Sequence, residues 1–383
     1  MSPRAGSALE GTRVLELTED MGAYCGKLLA DMGADVIKVE RPGGDRSRLI
    51  PPFLGNEPGR DRSLSFLYNN TSKRGVTLDL EDREARGRFR ELARTADLVI
   101  EGHQPGYLDG LGLGYADLSK RNPGVVLTSI TGFGQTGPQR GFQWADIVAG
   151  ALGGAMTCTG DVEDPPVQLA SSQAEVLAAT CAAAGSLIAL RHSRRTGQGQ
   201  HVDVSSLETV VAVTHICGVG KWLEDGIIPK RASTGLAAAV PSGAYPCKDG
   251  VVYLMVNRAK HWEALSHWIH ERTGNEEVLD PMFHGPSSKR LPYCELLDLF
   301  ISELTCQLTV QEAYHEGQRR HIALTPVNTA ASVANDGHLA ARGFFVDLEI
   351  EGSGTLRFPG APYRHDLTPW RIARPAPRVG EHN

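Results

Sequence analysis

A strand, a helix and a second strand stand near the start of this chain, and that triplet restricts the fold more than any other feature. Arg13–Leu17 reads as a short strand, residues 23–32 carry apolar side chains at helical spacing, Gly33-Ala34 breaks the helix, and Asp35–Glu40 alternates as a second strand. Such a unit implies two parallel strands joined by a right-handed crossover. The alternation continues, with strands predicted at residues 75–80, 97–101, 125–130 and 201–204 and helices at 82–95, 146–156 and 175–194. This predicts an α/β fold around a mostly parallel, Rossmann-like sheet. The Ala-rich stretch 176–190 is too short for a membrane span and is expected as a buried helix.

At roughly 100–200 residues per domain, 383 residues suggest two domains or one with an insertion. Residues 1–224 read as a large domain. Residues 225–330 read as a smaller α+β domain that opens on a hairpin turning at Lys248-Asp249-Gly250. The segment 331–383 is rich in Pro, Gly and Arg and is expected to return to the large domain. A net charge of −6 argues against a nucleic-acid partner. Seven cysteines without a CxxC pair, and an N-terminus lacking an apolar leader, fit reduced thiols in the cytoplasm and no membrane partner. The loop after the first strand has Gly22 but not GxGxxG, so no nicotinamide is expected, nor a flavin or a metal.

Several stretches resemble the class III (CaiB/BaiF-type) CoA-transferase family. They are Leu9-Glu-Gly-Thr-Arg-Val-Leu-Glu-Leu17, Leu28-Leu-Ala-Asp-Met-Gly-Ala-Asp-Val-Ile-Lys-Val-Glu-Arg-Pro42, Ser72-Lys-Arg-Gly-Val-Thr-Leu-Asp-Leu80, the run 122–138 ending in Gly-Phe-Gly-Gln-Thr-Gly-Pro, and Arg195-Thr-Gly-Gln-Gly-Gln200. Their order and spacing are specific together, though each is weak alone. The resemblance implies a large domain built from both ends of the chain, a small domain in the middle, and two chains threaded through each other as an interlocked dimer. It also implies transfer of CoA from an acyl-CoA thioester to a carboxylic acid. An enzyme carboxylate attacks the thioester, and the released CoA thiolate then attacks the enzyme acyl group.

In that family the nucleophile is an Asp at the start of the helix before the Arg-Thr-Gly turn; here the position holds Glu175. The extra methylene moves the carboxylate by about 1.5 Å. Three readings stand: a nucleophile, a retasked or lost site, and a helix cap, since Ser172-Gln-Ala-Glu175 has the form of a capping box. CoA is anionic and needs basic partners. By family position these are Arg41, Lys73 and Arg74, with Met21 and Gly22 beside the cofactor and Arg46 and Arg48 as helpers without a strict match. Gln104 and Gly110 stand where the family commonly has Arg. His103, Tyr107 and Trp144 are candidates for the acid pocket. The racemase branch needs a base at the position of Ala145 and is disfavoured. Alternatives are an acyl-CoA lyase, isomerase or hydratase on the same fold, or a silent subunit paired with a paralogue in a heterodimer instead of a homodimer.

Overall fold

The computed structural model describes residues 6–214, 218–232, 235 and 239–383. The chain divides into two units, and among the described residues the first comprises 6–155, Gln168–Gly226 and His338–Asn383. The second comprises Met156–Val167 and the described part of 227–337.

The first unit is built on six parallel strands: β1 (Arg13–Leu17), β2 (Asp35–Glu40), β3 (Arg74–Thr77), β4 (Leu98–Glu101), β5 (Val126–Thr131) and β6 (His201–Ser205). Their order is β3-β2-β1-β4-β5-β6. The central strands are buried on both faces, which is why β1 and β4 read as near-continuous apolar runs. On one face Val14, Val36, Leu98, Ile100 and Val126 pack with side chains of the helices Ala23–Asp31 and Gln173–Thr196. On the other, Leu15, Ile37, Val99 and Leu127 pack with Phe89 of the helix Arg83–Ala93 and with Leu108 and Leu118.

The stretch 176–190 lies, as expected, in a helix, and that helix is buried on one side. The helix Gln173–Thr196 buries Ala178, Ala179, Ala182, Ala183 and Ala189, small residues that let it lie close on the sheet. Leu190 is buried with them, whereas Val176, Leu187 and Ile188 are 39, 41 and 69 % exposed. By length and composition this is the one described helix that could cross a membrane.

The second unit holds an antiparallel sheet of β7 (Ser242–Cys247), β8 (Gly250–Met255) and β9 (Ala323–Pro326), the first two forming the expected hairpin. Its core includes Trp262, Trp268, Phe283, Leu297 and Phe300. Arg290 is fully buried there, with Nε donating to the Val240 carbonyl at 2.7 Å and Nη1 to that of Phe283 at 3.0 Å.

The C-terminal segment contains an antiparallel hairpin, β10 (Phe345–Ile350) and β11 (Gly354–Pro359), and then runs along the first unit. Arg371 N–H donates to Asp31 O at 2.9 Å, Ser72 N–H to Arg374 O at 2.9 Å, and Arg48 Nη2 to Pro377 O at 2.9 Å. His382 N–H donates to Gly75 O at 2.9 Å, and Thr77 N–H donates to Asn383 Oδ1 at 2.7 Å. The tail thereby covers part of the open edge of β3, which would otherwise present unpaired backbone groups.

Candidate active site

Strand order in the first unit reverses at β1, with β2 on one side and β4 on the other. In open parallel sheets the loops at the carboxyl ends of the strands splay apart at that point and leave a crevice. Here it is a cleft of about 570 Å³. Glu19, Asp20 and Met21 enter from the loop after β1, Arg41 and Arg46 from the segment after β2, and Gly102 and His103 from the loop after β4. Thr131 ends β5, Arg140, Trp144 and Asp146 follow it, and Glu175 completes the wall. The loops after β1 and β4 touch: a Cβ on Gly102 would lie 2.9 Å from the Met21 carbonyl oxygen, so only glycine fits.

Glu175 is the third residue of the helix Gln173–Thr196. The capping box read from Ser172 is not formed. Ser172 sits at φ 26°, a strained conformation for a non-glycine residue, and its side chain caps no backbone N–H. The Glu175 N–H donates instead to Asp146 Oδ1 at 3.0 Å, and Gln168 Nε2 donates to Asp146 Oδ2 at 3.4 Å. Asp146, the first residue of the helix Asp146–Leu152, therefore holds the start of the helix that carries Glu175. Burial raises the Glu175 carboxyl to about 7, with further contributions from the charges of Asp20 and then Asp146; a hydrogen bond with Ser172 opposes them.

The sequence-predicted ligand residues separate into two groups. Met21 and Arg41 line the cleft with Glu175, and so does Arg46. Gly22 stands just behind at φ 95°, where a Cβ would meet Thr18 Cγ2 at 2.8 Å and Ile130 Cδ1 at 2.9 Å; its role is conformational. Lys73 lies elsewhere. It is fully buried, and its ammonium donates to Glu16 Oε1 at 2.9 Å, Ala23 O at 2.8 Å and Asn70 Oδ1 at 2.9 Å, which uses all three protons. Burial lowers its pKa to about 8, against the pull of Glu16. Arg74 pairs with Asp35 at 2.6 Å, outside the cleft. Arg48 is buried against Glu40 at 2.7 Å and Asp61 at 2.6 Å, a structural cation.

Of the acid-pocket candidates, His103 and Trp144 line the cleft. Glu101 Oε2 accepts from the His103 N–H at 2.7 Å, and burial lowers the imidazole pKa. Tyr107 supports from behind: its ring lies 4.5 Å from that of His103 and its hydroxyl donates to Glu81 at 2.9 Å. His201 is bonded to Ser129 Oγ at 2.9 Å, away from the cleft. Sequence reasoning missed Arg140, two residues beyond the family-like run 122–138. The absence of arginine at Gln104 and Gly110 was the signal that another cation was needed.

The sequence profile of CoA-transferase family III matches residues 9–383. This chain belongs to that family. Among relatives of this CoA-transferase family III member, the succinyl-CoA:(R)-benzylsuccinate CoA-transferase subunit BbsE of Thauera aromatica is 36% identical over 382 residues, covering 97% of this chain and 91% of that protein. The succinate–glutarate CoA-transferase of Agrobacterium fabrum is 32% identical over 384 residues, covering 99% and 95%. A CaiB/BaiF family protein from Brucella suis superposes with a TM-score of 0.86 at 29% identity, covering 98% and 97% of the two chains. The Mycobacterium tuberculosis protein Rv3272 does so with 0.85 at 26%, covering 99% of each.

Proposed function

We propose that this class III CoA-transferase moves CoA from succinyl-CoA to a second carboxylic acid, with Glu175 as the nucleophile. The observation that carries the reading is the Glu175 carboxylate on the first turn of a long helix, facing a cleft at the switch point of the sheet. Relatives named for succinyl-CoA support the donor. A Glu175 oxygen attacks the thioester carbonyl, the C–S bond breaks, and CoA leaves as thiolate with the negative charge. The thiolate then attacks the glutamyl carbonyl of the mixed anhydride and releases succinate, leaving a glutamyl-CoA thioester for the incoming acid to reverse the sequence. The acceptor acid stays unassigned.

Arg41, Arg46 and Arg140 are the cations of the cleft that the CoA phosphates would meet. Arg140→Ala is expected to weaken CoA binding at least tenfold, the cost of about one charge-assisted hydrogen bond, by titration calorimetry at fixed salt. The assembly we infer is a dimer, formed with a like chain or a paralogue. The exposed stripe of Val176, Leu187 and Ile188 supports it, as do relatives named as alpha and beta subunits. Six free thiols among the described residues fit action in the cytoplasm; the seventh, Cys217, lies outside them.

One observation favours a second reading. A carboxyl raised to about 7 suits proton transfer at neutral pH, as an acyl-CoA lyase, isomerase or hydratase requires. Incubation with succinyl-CoA, borohydride reduction and peptide mass spectrometry separates the two. Reduction at Glu175 is expected. Its absence, with CoA still bound and deuterium exchanged from solvent into the acyl chain, favours proton transfer.

A further inference from the structure

The mechanism needs a carboxylate nucleophile, yet Glu175 is set among other carboxylates. From the loop after β1 come Asp20 and Glu19, and from the first turn of Asp146–Leu152 comes Asp146, whose Oδ1 accepts the Glu175 N–H at 3.0 Å. The other charged or titratable groups lining the cleft are Arg41 and Arg46 after β2, His103 after β4 and Arg140 after β5. Arg46 opposes the charge of Asp20, and Arg41 and Arg46 oppose that of Glu19. For Glu175 burial is the first influence that keeps it neutral, Asp20 and then Asp146 add to it, and among side chains only a hydrogen bond with Ser172 favours its ionised form.

We propose that Asp146 is a positioning residue for the nucleophile: it anchors the first turn that carries Glu175 and, with Asp20, loads that turn with negative charge that acylation relieves. This rests on the transferase reading. When Glu175 attacks, its negative charge passes to the CoA sulfur as the C–S bond breaks, and the glutamyl group becomes a neutral anhydride. The repulsion from Asp146 and Asp20 is present before the step and absent for that residue after it. The arrangement thus favours the acylated enzyme, and it makes the carboxylate form depend on pH near neutrality. Asp146 does this through an atom bonded to the backbone of Glu175, so hold and field are separable: Asn keeps an acceptor oxygen at the same place and removes the charge, whereas Ala removes both.

The test uses the full chain labelled with [5-13C]glutamate. The Glu175 carboxyl signal is assigned by its loss in Glu175→Gln and followed against pH by NMR, alongside the rate of acyl-enzyme formation from succinyl-CoA. In the unmodified protein the signal is expected to titrate near 7, and acylation to rise with pH through the same range, because the reactive form is the ionised one. In Asp146→Asn both midpoints are expected to fall by about one pH unit, and the acylated fraction at equilibrium with succinyl-CoA and CoA to fall about tenfold. Asp146→Ala is expected to lower the acylation rate plateau by a further tenfold or more through loss of the anchored turn. Thermal melts identify variants that fail to fold, and Asp146→Asn, which keeps the hydrogen bond, carries the decision. An unmoved titration in a folded Asp146→Asn overturns the proposal. Normal titration shifts without an acyl-enzyme in the unmodified protein overturn the transferase reading instead.

Discussion

Glu175→Gln is expected to lower CoA transfer by at least ~10³-fold while leaving the fold and CoA affinity nearly unchanged. The amide has almost the shape of the carboxyl, so the helix start and its bond to Asp146 persist, but it carries no charge with which to attack a thioester. Removing a charge from among Asp20 and Asp146 relieves repulsion, and the melting temperature is expected to hold or rise. Steady-state kinetics with succinyl-CoA and a panel of acids, with a melting curve, checks this. Glu175→Asp draws the carboxylate back by about 1.5 Å, a displacement that costs on the order of a hundredfold when the rest of a site is fixed. Full activity in Glu175→Gln would remove the covalent mechanism altogether.

The second large effect concerns stability. Lys73→Ala leaves Glu16, fully buried in the middle of the sheet, without its closest cation; Lys38 is 3.7 Å away and is committed to Asp45 at 2.7 Å. Removing one partner of a buried pair strands the other charge and costs about 3–5 kcal/mol, a large part of the roughly 5–15 kcal/mol that holds a typical domain together. Urea denaturation of the variant is expected to show that loss, and calorimetry at low temperature to show CoA affinity within about twofold of the parent, since Lys73 does not face the cleft. A stable Lys73→Ala with lost CoA affinity would return this residue to the phosphate role its sequence position suggested.

These two residues mark how far the sequence could be read. The parallel sheet was legible because buried parallel strands write themselves as apolar runs between helical periods, and β1, β2, β4, β5 and β6 stand within a residue or two of where the pattern put them. The strand β9 and the β10–β11 hairpin were not: β9 has only four residues, and the hairpin strands lie in a segment whose Pro, Gly and Arg content hides its alternation. In the site, Glu175 was found by a motif counted back along one helix. The local rule attached to it failed, because Ser172 and Glu175 satisfy the capping-box pattern while the acceptor that serves Glu175 comes from Asp146, 29 positions away. Lys73 shows a similar effect of distant partners. A lysine in a motif reads as a ligand until the fold brings Glu16 to it across 57 positions. Arg140 lacked a motif of its own and became visible only when the cleft gathered it with Arg41.

The pairing of His382 and Asn383 with β3 has a consequence for biosynthesis. Strands β1 to β6 are all made by residue 205, but the backbone of Gly75 and Thr77 finds its outer partners only in His382 and Asn383. Between these stretches the ribosome delivers 227–337, whose buried tryptophans and leucines make a core of their own. Domains tend to fold as units as they emerge. The middle of this polypeptide can therefore settle while the part made before it still waits with an open sheet edge, and the large unit is completed only after the second one has been made.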